Sequence, residues 1–178
     1  SIGNPQRTVG SEPLKGQVIE VEVPTTVNGV LQFHNGANVT LSASWDVWGH
    51  KRAPIEIYGT EGSLLGVNPN FFGGEPMVCQ GAGAWEAVDI SAHPFGVNNR
   101  TLRAGMEVAD YRIVGLLDMA MALRSGRAHR ADGALAVHVL EVLEAFEQSS
   151  QLGTHVAIQS HCERPAALPQ GAGEEVFV

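Results

Sequence analysis

The hydrophobic period of this chain changes once, near residue 107, and that change limits what it can fold into. Before it, apolar and polar residues alternate; after it, apolar residues recur at spacings of three and four. The clearest alternation sets Val39, Leu41, Ala43, Trp45 and Val47 on one face against Thr40, Ser42, Ser44 and Asp46 on the other, the pattern of a strand packed on one side. Ile19, Val21 and Val23 alternate with Glu20 and Glu22, and Leu31 and Phe33 with Gln32 and His34. Asn35-Gly36 predicts a tight hairpin turn with both residues at positive φ. Pro54 opens a strand carrying Ile55 and Ile57, and Gly59-Thr-Glu-Gly62 turns the chain into Ser63-Leu64-Leu65. Residues 17–90 therefore predict a β meander whose short links make neighbouring strands antiparallel. Within it, Asn68 to Gly83 reads as an excursion loop with a short strand at Met77 to Gln80, and Trp85 to Ile90 resumes the alternation.

The second half reads as two helices. Val114, Leu117 and Met121, with Ile113, Leu116, Ala120 and Leu123, predict a first helix over Glu107 to Arg124, stopped by Gly126. Asp132 is the expected N-cap of a second helix running to Gln148, with Leu135, Val139, Val142, Leu143 and Phe146 on its core side. Ala134, Val137 and Leu140 add apolar surface, so more than half its circumference wants cover. A sheet covers one side; the other is expected to meet the first helix, a further domain or a second subunit. Val156 to Gln159 reads as a closing strand. The fold class is α+β: a predominantly antiparallel, open-faced sheet with helices on one face, as a single domain over 1–165 followed by a tail at 166–178.

Composition removes several functions. With 11 Lys+Arg against 19 Asp+Glu, a net charge of −8, the chain lacks a basic stripe for a nucleic-acid backbone. No apolar run approaches the ~20 residues of a membrane span, and no secretory leader opens the chain, so a cytoplasmic location is expected. Cys79 and Cys162 form no C-x-x-C and read as incidental thiols. The start at Ser1 fits a piece of something longer, or a chain trimmed of its methionine.

Chemistry-bearing residues are few. A dinucleotide site needs G-x-G-x-x-G between a strand and a helix. Gly81-Ala-Gly83 runs into a strand and Gly171-Ala-Gly173 sits in the tail, so neither qualifies. Asp118 interrupts an apolar helix and needs a partner if buried, for which Arg112, Arg124 or a backbone amide would serve. Arg127, His129 and Arg130 follow a helix C-terminus, where positive charge meets the dipole; their alternative use is holding a substrate anion or a neighbouring domain. His138 reads as a hydrogen-bonded interior histidine. His161-Cys162-Glu163 alternates faces and is expected to hold no metal. The polar loop Asn98, Asn99, Arg100, with Trp45, Trp48 and His50, is the best set for lining a sugar-like substrate pocket.

Two blocks carry a resemblance: Ile55-Glu-Ile-Tyr-Gly-Thr-Glu-Gly-Ser-Leu64, and Asp118-Met-Ala with Gly126-Arg-Ala-His-Arg130 and His138-Val-Leu-Glu141. In order and spacing, from Gln17 to Pro165, they resemble the second domain of the Gfo/Idh/MocA family of NAD(P)-dependent sugar and polyol oxidoreductases. The resemblance implies that NAD or NADP belongs to an N-terminal Rossmann domain outside this chain, that this chain binds no cofactor alone, and that it is inactive by itself. It also implies a sheet face that pairs subunits. Thr40, Ser42 and Ser44 form a flat, small, hydrogen-bonding face suited to that, so a homodimer or larger homo-oligomer is expected.

The family's Glu-Lys-Pro motif cannot be mapped, since the lysines are Lys15 and Lys51 alone. Its Asp-x-x-x-His pattern occurs as Asp46/His50 and Asp89/His93. On a strand that spacing separates Cα atoms by about 13 Å, too far for a concerted dyad, and the family's own pair is expected to precede Ser1. Two rival readings are a stand-alone binding or scaffold module and a cofactor-independent enzyme using Asp46/His50.

Overall fold

The computed structural model describes residues 3–102 and 105–168; positions 169–178, with most of the expected tail and Gly171-Ala-Gly173, lie outside them. The chain divides into two compact units, Ser1–Lys51 with Glu141–Ile158 and Arg52–Leu140 with Gln159–Val178.

In the first unit, β1 (Gln6–Thr8) pairs antiparallel with β2 (Val18–Glu20), and β3 (Thr26–Gln32) with β4 (Asn38–Ser44). The β3–β4 register sets Val27 opposite Ala43, Gly29 opposite Leu41 and Leu31 opposite Val39. Directly paired residues share a face, so this side of the ribbon is apolar. Phe146 of α2 (Gly133–Leu152) packs against it, its ring meeting the place where a Cβ on Gly29 would stand. The opposite side carries Asn28, Val30, Thr40 and Ser42, all exposed. Period-two alternation has thus produced one packed face and one open face, as the sequence predicts.

The hairpin turn differs from expectation. Of Asn35 and Gly36, only Gly36 has positive φ, at 89°, and the link spans Phe33 to Ala37. Asn35 contributes its side chain instead, Oδ1 accepting from the Ala37 amide at 3.0 Å, the Asx device that makes asparagine favourable in turns.

In the second unit, β5 (Ile55–Tyr58), β6 (Gly62–Gly66), β7 (Met77–Gln80) and β8 (Trp85–Ala87) form a four-stranded antiparallel meander in chain order. The predicted short strand Met77 to Gln80 is β7 itself. A separate hairpin joins β9 (Arg100–Thr101) to β10 (Glu107–Val108). The fold is mixed α+β; among the described residues every strand pair is antiparallel, and the strands form four small sheets and not one.

Helix α1 runs Val114–Ser125, beginning seven residues later than predicted, because Glu107 and Val108 are taken into the hairpin. Gly126 ends it at φ 69°, with the following amide of Arg127 returning to the Ala122 carbonyl at 3.2 Å, a left-handed stop that glycine adopts without a Cβ clash. Asp132 caps α2 as expected, Oδ1 accepting from the Leu135 amide at 2.8 Å. The expected closing strand at Val156 to Gln159 has no ladder partner among the described residues.

The core of the second unit is small and aromatic. Val114 is buried against Phe95, Tyr111, Met121 and Leu168. Phe72, Phe95 and Tyr111 meet edge to face, with centroids 5.3 to 6.2 Å apart, a geometry that sets ring edges against ring faces. Several helical positions expected in the core from periodicity lie at the surface. Leu116, Leu117 and Leu123 of α1 and Val139 and Leu143 of α2 are exposed, while Asp118 and Ala122 are buried. A helical period says that an apolar face wants cover but not what supplies it.

Candidate functional site

The connection from β6 to β7 and the β9–β10 hairpin enclose an open hollow of about 510 Å³. Its polar lining comes from Asn68, Glu75, Asn98 and Glu107, and its apolar lining includes Phe71, Met106 and Ala109. The floor is tight: a Cβ on Gly73 would stand 2.7 Å from the Gly96 carbonyl oxygen and 2.8 Å from the Ala109 Cβ. Only glycine lets these two segments approach so closely. Asn98 holds its amide oxygen over that floor, and the amide has no hydrogen-bond partner among the described residues.

The neighbours of Asn98 serve the hairpin. The Asn99 side chain clasps the Asp110 backbone both ways, Nδ2 donating to its carbonyl at 3.2 Å and Oδ1 accepting from its amide at 2.8 Å. Arg100 pairs with the Asp110 carboxylate at 2.6 Å, and Arg112 lies 3.5 Å from its other oxygen. Arg112 also sits over the Phe71 ring, 5.9 Å from its centroid, within cation–π range. Of the loop trio, Asn98 alone lines the hollow.

Trp45, Trp48 and His50 belong to the first unit, a different compact unit from that loop. Trp45 is 80% and Trp48 105% exposed, and His50 makes no hydrogen bond among the described residues. Asp46, between the tryptophans, is engaged: Oδ2 accepts from the hydroxyls of Thr25 at 2.5 Å and Thr26 at 3.0 Å, and Oδ1 from Arg7 at 3.0 Å. The Thr25 hydroxyl above all, then Thr26 and Arg7, hold this carboxyl below its ordinary range against a smaller upward push from burial. Arg7 reaches the Trp45 carbonyl as well, at 2.9 Å, so Asp46 and Arg7 tie the first strand to the end of β4. Asp89 and His93 each cap their own turn, accepting from the amides of Ser91 at 2.9 Å and Phe95 at 3.2 Å. Neither Asp-x-x-x-His pair forms a hydrogen-bonded dyad.

Asp118 is 4% exposed in the middle of α1. Its partners are Arg127, 2.9 Å from Oδ1, the Arg130 guanidinium on the same oxygen, and the Arg130 amide, 2.8 Å from Oδ2. The expected helix partners are otherwise occupied, Arg112 by Asp110 and Arg124 by the Met121 sulfur. Burial pushes the Asp118 carboxyl up most strongly, yet the Arg130 amide and the two guanidinium groups together bring it below its ordinary value. Arg127 and Arg130 thus answer a charge within the chain. Arg130 also donates to the Ala166 carbonyl at 2.9 Å, so one carboxylate ties the end of α1, the following loop and the C-terminal segment together. His129 between them has a buried Nδ1 without a partner among the described residues.

The open face of β3–β4 places Thr40, Ser42 and Ser44 in a row opposite Val30, Asn28 and Thr26. These six and the flanking Gln32 and Asn38 include no ionisable residue.

A dinucleotide does not fit the described residues. Its pyrophosphate needs a helix N-terminus with free amides after a glycine-rich turn. No glycine-rich turn joins a strand to a helix among the described residues: α2 opens after Asp132, whose carboxylate takes the Leu135 amide, and α1 opens on Val114 buried among Phe95 and Tyr111. No group of three His, Cys, Asp or Glu side chains among the described residues could hold a metal ion. His161 and Glu163 pair at 3.2 Å, both largely exposed. Cys79 and Cys162 are free thiols, and no helix among the described residues is long and apolar enough to cross a membrane.

Comparison with the curated proteins found no match, and comparison with solved structures found none either. Comparison with protein families found one. Residues 3–65, which take in β1 to β5 and most of β6, match the family described as the GFO/IDH/MocA C-terminal domain, in agreement with a C-terminal domain of that family.

Proposed function

We propose that this chain is the substrate-binding and oligomerisation domain of an NAD(P)-dependent oxidoreductase acting on a sugar or polyol. Hydride would pass to or from a nicotinamide held by a separate nucleotide-binding domain, and the chain alone would be catalytically incomplete. The match of residues 3–65 to the GFO/IDH/MocA C-terminal domain carries the reading.

Two features support it. The hollow around Asn98 joins amide and carboxylate groups to the Phe71 ring, the mixture that suits a molecule with hydroxyls on one side and C–H groups on another. The open face of β3–β4 carries no ionisable residue from Gln32 and Asn38 to Thr26 and Ser44, and Asp46 at its end is paired with Arg7, so two copies of a chain of net charge −8 could meet there with little like-charge repulsion.

The test compares the product of the whole reading frame containing this segment with the 178-residue chain. Each is assayed for NAD- and NADP-dependent oxidation of a panel of sugars and polyols. The whole product should turn over at least one of them and the chain none. A reading frame with no further nucleotide-binding segment, or turnover by the chain unaided, would refute the proposal.

A further inference from the structure

We propose that the hollow lined by Asn68, Phe71, Glu75, Asn98 and Glu107 selects a hydroxylated molecule bearing a protonated amine, an amino sugar or amino polyol. The inference deepens the substrate reading above and rests on it. Among the described residues, the ionisable side chains in the lining are Glu75 and Glu107, with no Lys, Arg or His beside them. Glu75 makes no hydrogen bond or ion pair among the described residues. Glu107 accepts from the Thr101 hydroxyl, which leaves its other oxygen free to accept. Among the described residues, the nearby cations Arg100 and Arg112 both turn to Asp110 and leave these carboxylates unpaired by them.

Each remaining group has a role in the same ligand. Asn98 offers an unpaired amide, and Asn68, whose oxygen already accepts from the Asn70 amide at 3.0 Å, keeps its NH₂ for a hydroxyl. Phe71 offers ring surface to C–H groups. A sugar acid or phosphate would bring a third negative charge beside two carboxylates and against a chain of net charge −8, which is repulsive at close range. An ammonium group is drawn in by the same field. Because the hollow is open to water, the attraction is modest and discriminates by factors of a few.

The experiment titrates glucosamine, glucose and gluconate into the isotopically labelled chain at neutral pH and follows the amides of Gly73, Asn98 and Ala109 by NMR. Glucosamine should move them at the lowest concentration, glucose should be weaker and gluconate weakest. Glu75→Gln should weaken glucosamine about threefold and glucose by less, so that the preference for the amine shrinks. Gluconate binding as well as glucosamine, or an unchanged preference in Glu75→Gln, would overturn the charge selection while the hollow stands as a sugar site. If none of the three moves these amides, the hollow is not a binding site and the inference falls. The oxidoreductase reading is judged separately, by turnover in the whole product.

Discussion

Phe146 occupies the space that a side chain at position 29 would need: its ring edge lies where a Cβ on Gly29 would stand. The glycine is thus part of the packing between α2 and the β3–β4 ribbon, where the strand narrows to admit a ring. Gly29→Ala should lower stability by about 1–3 kcal/mol, the range for overfilling a packed site. Combining it with Phe146→Leu should recover part of the loss, since the two positions share one space. Urea denaturation of the two single variants and the double variant measures this, and strictly additive losses would show that the positions are independent.

The Asp118 clasp is expected to govern acid stability. Its folded-state pKa lies below the ordinary 3.8, so the unfolded chain binds the proton more tightly. The contribution is fully present above about pH 4 and is lost as pH falls through the lowered folded value. Asp118→Asn leaves Arg127 and Arg130 without their counter-charge and should cost about 3 kcal/mol at neutral pH. The acid limb of its stability profile should flatten as well. An unchanged limb would place the acid-sensitive group elsewhere.

Asp132→Ala removes the side-chain oxygen that accepts the Leu135 amide and should destabilise α2 by about 1 kcal/mol. Loss of helical circular dichroism on heating would shift to lower temperature. A shift equal to that of an alanine change at exposed Gln148 would mean that the cap contributes nothing particular.

If the uncharged face of β3–β4 pairs subunits, a carboxylate at its centre will break the pair. Ser42→Glu sits opposite Asn28 and would put two like charges near each other across a two-fold axis. Sedimentation velocity should show the wild-type chain as a dimer or larger and the variant shifted to monomer by at least tenfold in dissociation constant. A monomeric wild type, or an unaffected variant, would remove the face from consideration.

How much of this could be read beforehand depended on the range of the interaction. Gly126, Asp132 and the strand at Asn38–Ser44 were legible because caps, stops and period-two alternation are settled within a few residues. The start of α1 was not, since Glu107 and Val108 are helix-compatible by spacing and are diverted by pairing with Thr101 and Arg100. The candidate site was half legible. The Asn98 loop could be singled out as polar, but nothing local separates Asn98, which faces the hollow, from Asn99, which is tied to Asp110.

The sequence by itself determined the antiparallel hairpins of the first half, the two helices that follow them and the family resemblance, because periodicity, turn residues and motif order are written along the chain. Tertiary structure alone decided which charges answer one another. That Asp118 takes Arg127 and Arg130, nine and twelve residues away, and leaves Arg112 to Asp110, follows from where the loop after α1 returns. A buried carboxylate must be matched by whatever cation the folded chain brings to it.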